Sequence, residues 1–266
     1  LSTTNYDNTL IGWAAQNVPS NLNLGTANLT YCNGASARST LINTYGWAIS
    51  GNVLDCPPFI TTWKTDNYGI SNDSSIKIRT IGGGYNYDVD WNGDGVYDEF
   101  GLTGDATHDY GVPGTYTVAI KGNFPRIYIN NSFWSDKEKL MSIEQWGGIQ
   151  WGSMENAFYG ASNLSYNATD VPNLSNVTDM SSMFRDVHSF DGNISNWDVN
   201  NVTDMSYMFY RNYDFNSNIS NWDVSNVANM SFMLEDATSF NKDLSSWNVG
   251  NVTNMKRLFY NASSFN

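Results

Sequence analysis

The chain has 266 residues and a formal net charge of −13, with 26 Asp and Glu against 13 Lys and Arg. That balance excludes nucleic acid as a partner, because neutralising phosphates needs a basic surface. No apolar run is long enough to cross a membrane, and only 15% of residues are charged, so Asn, Ser, Thr and Gly carry much of the polarity.

The first zone, residues 1–56, begins at Leu1, so the chain reads as a piece of something longer. "YDNTLIGWAAQ" and "ARSTLINTYG" have helical apolar spacing, and "WAISGNVL" reads as a strand. Too small for a large core of its own, the zone reads as the C-terminal cap of a preceding repeat array. Cys32 and Cys56 bracket a short segment within it. They form a disulfide if the protein is exported; two buried thiols are the alternative.

After the double proline of "CPPF", residues 59–125 change character. "SSIKIRT", "YNYDVDW" and "GTYTVAIKG" alternate apolar and polar residues between Gly- and Asp-rich turns, which predicts a small antiparallel β-sandwich. Inside it lies "DWNGDGVYDE". Asp90, Asn92, Asp94 and Asp98, with the Val96 carbonyl, place oxygen at the alternating positions a Ca²⁺ loop uses, around Gly95. Asp88, Glu99 and Asp105 are possible supplements. The position where such a loop supplies a bidentate Glu holds Gly101. The competing reading is an Asx-turn hairpin whose side chains bond their own backbone.

Residues 126–266 are repetitive. Trp197, Trp222 and Trp247 are 25 apart, as are Met180, Met205, Met230 and Met255, and Phe190, Phe215, Phe240 and Phe265. A degenerate copy around Met154 and Phe158 reads as the capping first repeat. Within one unit, Ile194, Trp197 and Val199 suggest a strand. Val202, Met205, Met208 and Phe209 follow helical spacing, with Asn201 as N-cap. The expected fold is therefore a mixed α/β solenoid of one short strand and one short helix per 25 residues, following an all-β sandwich.

The run "NISNWDVSNV…NMS.M" resembles the BspA-like leucine-rich-repeat surface proteins of Bacteroidetes type, and "YDVDWNGDG…ATHDYGVPGTYTVAI" is similar to polycystic-kidney-disease (PKD-like) immunoglobulin-type domains. The resemblance implies a secreted or cell-surface bacterial protein engaged in adhesion or ligand binding.

The candidate ligand-binding face is what the repeat strands leave outward: Asn196, Asp198 and Asn200, then Asn221, Asp223 and Ser225, then Ser246 and Asn248. Stacked, these form polar ladders suited to an extended extracellular protein or glycan; solvated residues bonding one another are the alternative. Other repeats of the parent chain are a further expected partner. The Trp column occupies the central apolar slot, which favours core over sugar stacking. The two histidines, His108 and His188, join no nucleophile elbow, zinc spacing or phosphate loop, so no catalytic residue is assigned. Two further functions remain open: a carbohydrate-binding accessory module of a secreted polysaccharide-degrading enzyme, and a Ca²⁺-rigidified structural stalk.

Overall fold

The computed structural model describes residues 3–130 and 135–266; Leu1 lies outside them. The chain divides into two compact units, Leu1–Pro57 and Pro58–Asn266.

In the first unit the helix-like stretches are helices, α1 (Thr3–Ala14) and α2 (Ala35–Asn43), and two strands accompany them, β1 (Asn23–Tyr31) and β2 (Ala48–Leu54). The strands pair in parallel, Asn23 opposite Ala48, with α2 as the connection that parallel pairing requires. Tyr6, Leu10, Leu41, Trp47 and Ile49 form the core. The buried Asp7 carboxylate accepts the N–H groups of Cys32, Asn33 and Gly34. It thereby holds the turn that leads into α2, whose N-cap is Gly34.

The second unit begins with β3 (Phe59–Lys64), β4 (Ser75–Ile78), β5 (Asn86–Asp90), β6 (Glu99–Leu102), β7 (Ala106–Asp109) and β8 (Thr115–Asn123). Two later strands, β9 (Leu140–Gln145) and β10 (Ser165–Tyr166), join them in a six-stranded sheet ordered β10-β9-β3-β8-β5-β6. The alternation in β3 turns Phe59, Thr61 and Trp63 inward. The separate β4–β7 pair supplies Ile76, Ile78 and Ala106 to the same core. Here the expectation of an immunoglobulin-type sandwich needs correcting. The large sheet does not end with β8; its edge is built by β9 lying antiparallel to β3, and β10 parallel to β9.

The expected strand-plus-helix solenoid is overturned. Among the described residues the only α-helices are α1 and α2, and the 25-residue units contain neither helices nor extended strands beyond β10. Each unit is instead a succession of tight turns closed by i+3 bonds between apolar residues. Trp197 donates to Ile194, Val202 to Val199, Met208 to Met205 and Phe190 to Val187. Apolar residues three apart end turns as readily as they line a helix, so the helical spacing was satisfied without a helix. Tyr207 and Arg211 have φ of 57° and 54°, the left-handed region that a right-handed helix excludes. The same conformation recurs 25 residues on at Phe232 and Asp236, and again at Arg257 and Asn261.

Successive units meet in register. Single parallel bridges join Asp179, Asp204, Asn229 and Asn254. The rings of Phe190, Phe215, Phe240 and Phe265 stack in one column, with centroids 6.5, 5.7 and 5.8 Å apart. Trp197, Trp222 and Trp247 are buried beside them. The indole N–H of Trp222 donates to Ile194 O, and that of Trp247 to Ile219 O, both at 3.0 Å. This column is therefore core.

Candidate functional site

Each repeat unit carries Asx turns at fixed positions. The Oδ1 atoms of Asn193, Asp198 and Asp204 accept the N–H groups of Ser195, Asn200 and Ser206. Asn218, Asp223 and Asn229 repeat the pattern, followed by Asp243, Asn248 and Asn254. Side chains that accept an N–H two residues on are what such turns require, and they explain why Asn, Asp and Ser crowd this half of the chain.

The sequence-predicted binding residues lie on these turns rather than on strands. Asn196, Asp198, Asn200, Asn221, Asp223, Ser246 and Asn248 are exposed and Ser225 is half-buried. The Ser225 hydroxyl and N–H hold the Asp223 carboxyl below the ordinary aspartate value. Asn201, expected to cap a helix, donates through Nδ2 to Ser175 O of the preceding unit; Asn226 and Asn251 do the same to Asn200 and Ser225. Asn221 and Ser246 line an open polar groove of about 450 Å³, together with Asn218, Ser220, Lys242, Asp243 and Ser245.

In the Asp-rich loop the carboxylates serve the backbone. Asp90, 1% exposed, accepts from the N–H groups of Asn92 and Gly93 through Oδ1 and of Gly95 through Oδ2. Asn92 accepts from Asp94 N–H, Asp94 from Val96 N–H, and Asp98 from Trp91 N–H. The supplementary residues face elsewhere: Asp88 accepts from Gly101 N–H, Glu99 from the Trp91 indole, and Asp105 from Thr80 and Lys77. Gly93 (φ 72°) sits against Thr117, where a Cβ would come within 2.8 Å. Among the described residues no group of three or more His, Cys, Asp or Glu is arranged to hold a metal ion. The donor set fits the Asx-turn hairpin better than a cation cage.

Cys32 and Cys56 are joined in a disulfide, with Cα atoms 4.9 Å apart. His108 lies flat against Trp91 (5.1 Å) and edge-on to Tyr110 (4.5 Å), while His188 packs on Tyr213.

One constellation escaped sequence reasoning. Lys139 is fully buried, and its ammonium donates to Ser71 O, Ser71 Oγ, Asn72 O and Ser75 O at 2.8–3.0 Å. The buried Asp136 accepts from the N–H groups of Ile70, Ser71 and Lys77 and from the Ser71 hydroxyl. Burial pulls the Lys139 pKa below the ordinary lysine value, against the opposing field of Asp136. The 69–77 loop is thus pinned by a buried cation and anion. Its partners lie 59 to 68 residues away in sequence, and no local pattern signals them.

Residues 152–266 match a family described as Mycoplasma protein of unknown function, DUF285. That match covers the repeat units and less than half of the chain. It brings no activity with it. No curated protein and no solved structure matches the chain.

Proposed function

We propose that this chain is a non-enzymatic binding protein of a bacterial cell surface or of the secreted fraction, taking an extended protein or glycan along the exposed turns of its repeats. The observation that carries the reading is the polar groove at Asn221 and Ser246. There, the Ser220 and Ser245 hydroxyls repeat at the spacing of the units and are joined by the amides of Asn218 and Asn221, the Lys242 ammonium and the Asp243 carboxylate, and many weak contacts in a row suit an extended ligand. The likeness of "NISNWDVSNV" to BspA-type surface proteins, and of the 59–125 segment to PKD-like domains, supports the surface assignment. Ring packing around both histidines supports a role without catalysis.

The test is a binding screen against extracellular proteins and glycans, followed by Asn221→Ala/Ser246→Ala and Asp198→Ala/Asp223→Ala double variants. Binding should weaken about tenfold or more in the groove variant. A ligand whose affinity is unchanged in both variants refutes the assignment of this face.

A further inference from the structure

Three loops gather at one end of the large sheet in the second unit: 65–74 after β3, 91–98 after β5 and 110–114 before β8. Antiparallel pairing puts them there, since Lys64 lies opposite Thr115 and Asp90 opposite Ala119. The loops are tied to one another. Thr65 N–H donates to Gly114 O and Gly114 N–H to Thr65 Oγ1, both at 2.9 Å. Tyr110 donates its N–H to Ser74 O and its hydroxyl to Trp91 O. Each loop is also anchored within itself or to the sandwich. Lys139 and Asp136 hold the first, Asp90 holds the second, and the Tyr116 hydroxyl donates to Val112 O in the third.

These well-held loops nevertheless display large apolar side chains to solvent. Tyr68 and Val96 are 67% exposed, Val112 63% and Ile70 40%. Scattered singly, exposed apolar residues are ordinary; four on loops bonded to one another mark a contact surface. The charge around them has one sign. Asp66, Asp73, Asp94 and Asp98 are exposed on the same loops, and Asp109 is exposed at the end of β7. No Lys, Arg or His occurs in 65–74, 91–98 or 110–114, and the adjacent Lys64 is paired with Asp66. The Ser74 hydroxyl and Gly111 N–H hold the Asp109 carboxyl below the ordinary aspartate value, so it stays charged at neutral pH.

We propose that this loop end docks a basic protein segment in which Lys or Arg residues flank an exposed apolar side chain. Charge complementarity identifies the occupant: the apolar tips take its apolar residue, and the carboxylates around them attract its cations. Loops already held by their own bonds lose little freedom on binding, which favours affinity. Like charge disfavours both an anionic membrane and a second copy of this acidic chain. The loop end is separate from the polar groove of the repeats, and the proposal stands whether or not that groove has a ligand.

The probe is a library of random peptides displayed on phage and panned against the intact protein. Selected peptides should combine Lys or Arg with Trp, Phe, Leu or Ile, and should bind less tightly as ionic strength rises. Followed by anisotropy, their affinity should fall about tenfold or more for protein carrying Tyr68→Ser, Val96→Ser and Val112→Ser. It should fall about threefold or more for Asp66→Asn with Asp73→Asn. An unchanged near-ultraviolet circular dichroism spectrum shows that each variant is folded. Selection of no peptide, peptides without basic bias, or unchanged affinity in the folded triple variant overturns the proposal. So does sedimentation with phosphatidylcholine vesicles that the triple variant abolishes, since the tips would then contact a membrane. A concentration-dependent dimer lost in the same variant overturns it too, since a second copy would be the occupant.

Discussion

Replacing Lys139 with methionine tests the least expected feature of the fold. Methionine matches the buried stem of lysine but removes the ammonium, leaving the carbonyls of Ser71, Asn72 and Ser75 without the donor they now share. A buried acceptor left unsatisfied costs about 1–3 kcal/mol. Asp136 would also lose the compensating charge that shares the Ser71 hydroxyl with it. Breaking a buried ionic arrangement by removing one member costs roughly 3–5 kcal/mol, and partial relaxation of the 69–77 loop keeps the total near that range rather than at the sum of its parts. Gly69 leaves little room for such relaxation, since a Cβ there would come within 2.4 Å of Asp136 Oδ1. Urea unfolding followed by tryptophan fluorescence should show the loss as a lower midpoint. Ser71→Ala, which keeps the ammonium, should cost only about 1 kcal/mol. A Lys139→Met protein within about 1 kcal/mol of the parent would refute the claim that this ammonium organises the loop.

Asn212 is fully buried, and neither atom of its amide has a partner. Its column otherwise holds Val187, Ala237 and Ala262. Asn212→Ala is therefore expected to stabilise the protein by about 1–2 kcal/mol, read as a raised urea midpoint; a loss of stability would show that the amide is satisfied. Asp105 loses some solvation at its site, but bonds from Thr80 and Lys77 outweigh this and hold its carboxyl below the ordinary value. A depressed folded pKa contributes stability above the unfolded value near 3.9, lost as pH falls through the folded value. Asp105→Asn should then cost below about 1 kcal/mol at pH 7, because the pair is about a third exposed, and almost nothing near pH 2. A penalty independent of pH would contradict this. The carboxylates of the 90–98 loop already accept backbone N–H groups, so EDTA should shift the thermal midpoint by less than about 1 °C, well inside the several degrees that 1 kcal/mol represents. A rise of several degrees with Ca²⁺ would restore that loop as a cation site.

The buried columns of the repeats were legible because stacking forces Trp197, Trp222 and Trp247, and the Phe series beside them, to recur at one interval. The backbone that carries them was not. Val202, Met205, Met208 and Phe209 satisfy a helix and a chain of turns equally. What decides is the left-handed residue at Tyr207, which alternate N–H donation to the next unit compensates, and that cost and compensation leave no mark on apolar spacing. The polar residues were readable as outward-facing but not as turn closers, because an exposed Asp198 looks the same whether it waits for a ligand or caps Asn200 N–H. Lys139, Ser71 and Asp136 were invisible for another reason. Only the pairing of β9 with β3 brings the segments bearing them together.

The nearest-neighbour pairing of the units also has a kinetic consequence. Every unit bonds the one before it in both directions, Met205 N–H to Asn229 O and Ala228 N–H to Thr203 O, so a newly arriving 25 residues can dock on the unit before it without waiting for anything later in the chain. The sheet of the second unit, which covers the first repeat, is made mostly of earlier residues. Assembly then proceeds as a zipper from the sheet toward Asn266, each closed turn becoming the mould for the next. Unfolding should run the other way, fraying from the last unit, so amide exchange protection should decline stepwise toward the C-terminus.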